Sequence, residues 1–244
     1  MVDDVDTVEE LVITNGVGYF ANFLQERGID HNALMSEIME AKSHLFQPRD
    51  AHYMKYRGNE LKRTKAFVYD GDLDNIPVYI YPGFVYESVR HYSTCDEYGD
   101  GLLIQVKDAL EKYLEQKINH IIITLYDQPN DCIGWHNDKV STIADNSEIA
   151  VISLGATRRF QIRATPTHKG ENPPVLREIV TEPGSFIGMS YEANIKYQHS
   201  VGEFDASQGD EEGSRVSIVF RHIKNILDSN QIDEKVATYH AKRK

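Results

Sequence analysis

Short apolar runs separated by turn residues dominate the second half of the chain, whereas helical periodicity is confined to the first half. The segment 34–45 repeats Leu34, Met35, Ile38, Met39 and Leu45 near helical spacing, and 102–116 sets Leu103, Val106, Leu110 and Leu114 on one face. Two amphipathic helices are therefore expected, with a short strand, Leu11-Val-Ile-Thr14, ahead of them. Between them Phe67-Val-Tyr69 and Val78-Tyr-Ile-Tyr81 are β-prone pieces bounded by Asp-Gly and Pro-Gly turn signals. Strand-like runs follow at 121–126, 149–154, 159–162, 176–181, 185–189 and 215–220. Helices first and many short strands afterwards predict a mainly β fold with flanking helices, built on a double-stranded β-helix, or jelly roll.

At 244 residues the chain suits one structural domain. Its start, Met1-Val-Asp-Asp-Val-Asp6, is acidic where a secretory signal is basic, and no apolar run approaches the length of a membrane span. A soluble, intracellular monomer is expected, in cytoplasm or nucleus. Cys95 and Cys132 cannot staple a secreted fold and form no Cys-x-x-Cys pair. The net charge of -12 excludes a protein that coats nucleic acid non-specifically. Arg49 to Lys65 is a local exception, carrying Arg49, Lys55, Arg57, Lys62, Arg63 and Lys65 with Tyr53 and Tyr56 interleaved. By itself such a run reads as a solvated loop.

The chemistry is concentrated in Ile133-Gly-Trp-His-Asn-Asp138. His136 and Asp138 lie two apart, so in extended chain both point to one side and can chelate one ion. His-x-Asp is a weak signal alone; His199, just beyond another predicted strand, offers the third ligand. Two imidazoles and a carboxylate occupy one face of an octahedral ion and leave three positions open, which suits non-haem Fe(II). Arg215 and Arg221 are six apart in a predicted strand and share a face, opposite Val216, Ile218 and Phe220. Interior arginines need anions, and a dicarboxylate supplies them; a salt-bridged edge strand is the alternative.

Leu125-Tyr126, Ile133 to Asp138, Ser153-Leu-Gly-Ala-Thr-Arg158 with Phe160, Gly184 to Met189, Gln198-His-Ser200 and Arg215 to Arg221 together resemble the AlkB family of Fe(II)- and 2-oxoglutarate-dependent dioxygenases, over roughly residues 60 to 223. The resemblance implies that His136, Asp138 and His199 hold iron, that Arg215 binds the distal carboxylate of 2-oxoglutarate, that Tyr126 hydrogen-bonds the co-substrate and that Arg221 supports its metal-proximal end. It implies Fe(II), 2-oxoglutarate and dioxygen as cofactors and methylated DNA or RNA as partner. It also divides the chain into a helical layer and the start of a substrate lid at 1–60, the dioxygenase domain at 61–223 and a C-terminal tail at 224–244. On that reading the basic segment becomes a lid. Lys62, Arg63 and Lys65 would grip phosphate, and Phe67, Tyr69, Trp135 and Arg158 would border the base.

Departures from the family pattern are visible. Thr124-Leu-Tyr126 stands where nucleobase demethylases usually carry Asn-x-Tyr, and Ser217 stands where they carry Asn, although Thr124 and Ser217 can still hydrogen-bond the co-substrate. Lys139-Val140 follows the ligand pair where repair enzymes place acidic residues that face a cationic base. That leaves room for a neutral modified base. Two further readings stay open: the same chemistry on a protein side chain or small molecule, and an inert nucleic-acid-binding module of the same fold.

Overall fold

Strands apolar on both faces must be covered on both sides, and that requirement organises the fold. The computed structural model describes residues 11–46, 55–56, 59–60, 63–79 and 93–241. Its strands are β1 (Leu11–Thr14), β2 (Val17–Phe20), β3 (Lys55–Tyr56), β4 (Asn59–Glu60), β5 (Thr64–Tyr69), β6 (Ile76–Pro77), β7 (Ser93–Thr94) and β8 (His120–Tyr126). They continue with β9 (Ile133–His136), β10 (Ile149–Gly155), β11 (Arg158–Ala164), β12 (Val175–Thr181), β13 (Phe186–Met189), β14 (Tyr197–Val201), β15 (Arg215–Arg221) and β16 (Ile226–Leu227). The α-helices are α1 (His31–Glu40), α2 (Lys42–Leu45), α3 (Leu102–Leu114), α4 (Tyr191–Lys196) and α5 (Ser229–Ala241).

A major sheet runs in the order β1-β2-β13-β10-β15-β8-β5-β7 and a minor sheet in the order β12-β11-β14-β9. Strand β8 is buried at every position. Its Ile121, Ile123 and Leu125 pack with Leu34 and Ile38 of α1 and Leu103, Val106 and Leu110 of α3. Its Ile122 and Tyr126 face the other way, into a cluster with Phe160, Ile162, Ile179 and Val201 of the minor sheet. The same alternation in β5 sends Ala66 and Val68 to the helices and Phe67 and Tyr69 to the layer between the sheets. Helices, major sheet and minor sheet thus stack as three layers, as the jelly-roll expectation requires.

Both ends of the described chain differ from expectation. At the N-terminus the expected strand at 11–14 is present as β1 and the unexpected element is β2: the two form a hairpin through Asn15-Gly16, with Gly16 at φ 79°, and β2 pairs with β13 to extend the major sheet. Of the two turn residues only Gly16 has positive φ, a conformation glycine adopts without steric cost. At the other end, residues 224–241 are not a loose tail. β16 pairs with β6, and α5 buries Ile232 and Val236 in the layer between the sheets. Among the described residues no helix is long and apolar enough to cross a membrane.

Candidate metal and co-substrate site

The site is assembled by strand register. β9 and β14 are adjacent and antiparallel, and His136 stands opposite His199. Their ring centroids are 4.2 Å apart, and the ring of Phe160 stacks on His199 at 5.4 Å. Asp138 lies one alternation beyond His136, so its carboxylate returns to the same side. Donor atoms of His136, Asp138 and His199 all lie within 4.8 Å of one another.

Hydrogen bonds orient two of the three donors, His136 and Asp138, from behind. The backbone N–H of Asp138 donates to Asn194 Oδ1 at 2.8 Å, and its carbonyl accepts from Asn194 Nδ2 at 2.9 Å. Asn137 points the opposite way and donates to the carbonyls of Asn194 (2.6 Å) and Tyr197 (3.0 Å), pinning the chain between the two ligands. The Asp138 carboxylate accepts from Arg221 Nε (3.0 Å) and Nη2 (2.6 Å), and from the Tyr79 hydroxyl at 3.3 Å. Tyr79 in turn accepts the N–H of Lys139 at 2.8 Å. His136 Nδ1 lies 2.9 Å from the Gly134 carbonyl; with the proton there, Nε2 is left to bind metal.

The electrostatics match that task. Burial pulls the Asp138 carboxyl upward, but Arg221 foremost, then His199 and His136, outweigh it and hold the group below the ordinary carboxylate range. Half-buried His136 is pushed down to about 3, first by burial and then by His199, and burial also lowers His199. Ionised carboxylate and neutral imidazoles are the protonation states a metal takes. Arg215 is wholly buried and stands opposite Tyr126 in the β15–β8 ladder, its guanidinium 5.2 Å from the ring centroid. Its Nη2 donates to Ser153 Oγ at 3.0 Å and Thr181 Oγ1 at 3.4 Å. Its Nε and Nη1, and Nδ1 of His199, are buried without a hydrogen-bond partner among the described residues. Unpaired buried donors are costly, so a bound anion at Arg215 and a cation at the ligand cluster fit what the protein leaves open.

Of the residues singled out in the sequence, Thr124, Tyr126, His136, Asp138, His199, Ser217 and Arg221 line one pocket, and Arg215 lies behind Tyr126. Arg221 differs in its main partner: two of its nitrogens hold Asp138. Lys65 joins the same pocket wall, 4% exposed, instead of lying on a lid. The other substrate candidates are placed elsewhere. Phe67 and Tyr69 are core residues of β5, at 1% and 4% exposure, with no face for a base. Trp135 alternates with His136 and so faces away from the pocket, where the Arg163 guanidinium lies 4.5 Å from its ring. Arg158 is buried and donates to the carbonyls of Glu211 (2.7 Å) and Thr157 (3.3 Å). Arg63 donates to the Cys132 carbonyl at 2.9 Å, tying the start of β5 to the loop before β9. Lys62, Arg49, Tyr53 and Arg57 lie outside the described residues. The acidic loop 203–212 folds onto cations, with Asp210 3.4 Å from Arg159.

Tyr79 and Asn194 are the site residues that sequence reasoning misses. Asn194 sits in α4, a short helix whose pattern carries no signal, and Tyr79 reads simply as a strand aromatic.

Two-sheet enclosure, an oriented His-Asp-His cluster and a buried arginine behind a tyrosine define the class: a non-haem iron oxygenase fed by a 2-oxo acid. A model of the 2OG-Fe(II) oxygenase superfamily matches residues 16–221. The chain belongs to that superfamily, and the curated relatives it matches are AlkB homologues. It is 26% identical over 125 residues to alpha-ketoglutarate-dependent dioxygenase alkB homolog 3 of Bos taurus, covering 50% of this chain and 42% of that protein. It is 30% identical over 103 residues to DNA oxidative demethylase ALKBH2 of Homo sapiens, covering 41% and 39%. The matched region thus spans about two fifths of these curated relatives. The solved structure of OsALKBH1 superposes with a TM-score of 0.53 at 11% identity, covering 87% of this chain and 99% of that one, and supports the fold. Fe(II), 2-oxoglutarate and dioxygen are the cofactors of the superfamily.

Proposed function

We propose that this chain oxidatively demethylates or hydroxylates a modified base in DNA or RNA. The observation that carries the reading is the His136-Asp138-His199 donor cluster, oriented by Arg221, Tyr79 and Asn194, with buried Arg215 behind it. When bound, Fe(II) would supply dioxygen activation coupled to loss of CO2 from 2-oxoglutarate. One oxygen atom goes to succinate and the other to the substrate carbon. On an N-methyl group the hydroxymethyl product releases formaldehyde and leaves N–H.

The chain's own residues position and enclose. Arg215 would receive the distal carboxylate, a charge-assisted pairing suited to guanidinium. Tyr126, Thr124 and Ser217 would hydrogen-bond the co-substrate along the pocket floor. Ile122, Val151, Phe160 and Val219 complete an apolar lining that limits water. Nucleic acid as the substrate rests on the named relatives. The net charge of -12 and Lys139-Val140 after the ligand pair favour a second reading, the same chemistry on a protein side chain or small molecule.

The test incubates the protein with Fe(II), ascorbate and 2-oxoglutarate on methylated single-stranded DNA and RNA oligonucleotides, following methyl loss and succinate by mass spectrometry. Methyl loss in step with succinate, absent in His136→Ala, is expected. Succinate with unaltered oligonucleotides moves the substrate to the second reading. Absence of both would refute the enzyme reading.

A further inference from the structure

Arg158 is a buried cation that the metal and co-substrate site does not use. It is 2% exposed, opens β11 and stands opposite Thr181 of β12. Both hydrogen bonds of its guanidinium are made by Nη1, to the carbonyls of Glu211 (2.7 Å) and Thr157 (3.3 Å). Its Nε is buried without a hydrogen-bond partner, and no carboxylate among the described residues forms an ion pair with it. The Nε–Nη2 edge, which can present two parallel N–H bonds to a carboxylate, is therefore left open. A guanidinium keeps its charge when buried, and a buried charge without an opposite one is costly.

Arg158 lines a cleft of about 200 Å³ between the turn after β8 and the loop that joins β14 to β15. The Phe204 N–H donates to the Pro129 carbonyl at 2.8 Å and stitches the two segments together, and the Phe204 ring centroid lies 4.9 Å from the Arg158 guanidinium. No described residue lines both this cleft and the metal pocket. Two carboxylates border the cleft. Asp127 is engaged on both oxygens, by Lys42 Nζ at 2.6 Å and by the Ser214 hydroxyl at 2.7 Å, and Glu212 is exposed. These acids limit what can enter. One negative charge matches the single guanidinium, whereas a second would meet Asp127 or Glu212. Pro129 and Phe204 offer apolar contact to a carbon skeleton.

We propose that this cleft binds a small monocarboxylic acid, its carboxylate on the Nε–Nη2 edge of Arg158 and its carbon skeleton against Pro129 and Phe204. The site is separate from the metal pocket, so it stands or falls independently of the oxygenase reading.

The test is titration of the full chain with butyrate, read by calorimetry and by the proton–nitrogen signals of the arginine Nε–H groups, of which the Arg158 signal is the one missing in Arg158→Lys. Butyrate should move that signal and saturate with a Kd of about 1 mM or below, and uncharged butyramide should leave it in place. Arg158→Lys keeps the charge but loses the planar fork, and should weaken butyrate by roughly 10-fold or more. Glu212→Gln, a change at an exposed position that keeps the proposal testable if the arginine variant does not fold, should tighten butyrate by about 2- to 3-fold at low salt. No saturable shift by about 10 mM, ten times the expected Kd, overturns the proposal. So does butyramide matching butyrate, or unchanged affinity in a folded Arg158→Lys or in Glu212→Gln. Succinate or inorganic phosphate binding the wild-type protein as tightly as butyrate also overturns it, because the acidic border would then not select a single charge.

Discussion

Removing Arg221 should destabilise the metal-free protein far more than losing one surface ion pair. The Arg221 and Asp138 side chains are 3% and 1% exposed, and the pair closes at 2.6 Å. In Arg221→Met the carboxylate remains in an apolar enclosure without its main counter-charge. Breaking a buried pair in this way costs about 3 to 5 kcal/mol. For a chain of this size that corresponds to a fall in Tm of roughly 6 to 20 °C. Wild-type Asp138 has a depressed pKa, so its contribution is present above the unfolded value near ~4 and is lost as pH falls through the folded one. In the variant the carboxyl rises instead, and the gap between the two proteins should narrow on acidification as it takes up a proton. Saturating Mn(II) should also narrow the gap, because the ion replaces the lost cation. Denaturant unfolding of both proteins, with and without metal and across pH, reads all of this. Arg221→Met/Asp138→Leu isolates the pair: it should recover much of the loss. A loss under about 1 kcal/mol, or one indifferent to both metal and pH, would refute the reasoning.

Other consequences are accessible to simpler measurements. His120 and His199 are buried, with pKa values pulled down by desolvation, so the unfolded chain binds protons that the native one refuses. Stability of the metal-free protein should fall below pH ~6.5 by at most about 1.4 kcal/mol per pH unit for each, and a flat profile from pH 7 to 5.5 would contradict this. Tyr79→Phe removes the hydroxyl shared by Asp138 and the Lys139 N–H, and should weaken Mn(II) binding by about 10- to 100-fold. Equal affinity by titration would show that the hydroxyl does not orient the ligand. Phe67→Ala should cost about 3 to 5 kcal/mol in denaturant unfolding, as a core residue does, and leave oligonucleotide affinity of the folded protein unchanged.

What could be read from the sequence follows the reach of strand periodicity. His136 with Asp138, and Arg215 with Arg221, are separated by even numbers, so alternation alone puts each pair on one face. The same rule applied to Trp135 sends it away from His136. Lys65, Phe67 and Tyr69 are harder. Phe67-Val-Tyr69 reads as a β-prone piece, but the basic residues and tyrosines just before it give the composition of a loop, and only pairing with β8 shows that the strand starts at Thr64 and is covered on both faces. Asn-Gly at 15–16 is a turn dipeptide, but Val17 to Phe20 is too short to announce a strand without its partner β13. In α5 two buried residues, Ile232 and Val236, hold the helix down, and its exposed remainder looks like a polar tail. Tyr79 and Asn194 act through contacts spanning 59 and 56 residues, which no local pattern encodes.

The contact between Asp138 and Arg221 joins positions 83 residues apart. A ribosome adding about 5 to 20 residues per second therefore produces the carboxylate some 4 to 17 seconds before the guanidinium that steadies it. Until residue 199 is added the nascent chain holds two of the three candidate ligands, His136 and Asp138, and until residue 215 it has none of β15, the strand that carries Arg215 and lies between β8 and β10. Construction of the reaction centre is thereby timed to follow translation of its last wall. A half-made chain has two ligands, no enclosed pocket and no arginine for the co-substrate, so it is poorly equipped to start oxidising itself or the machinery that makes it.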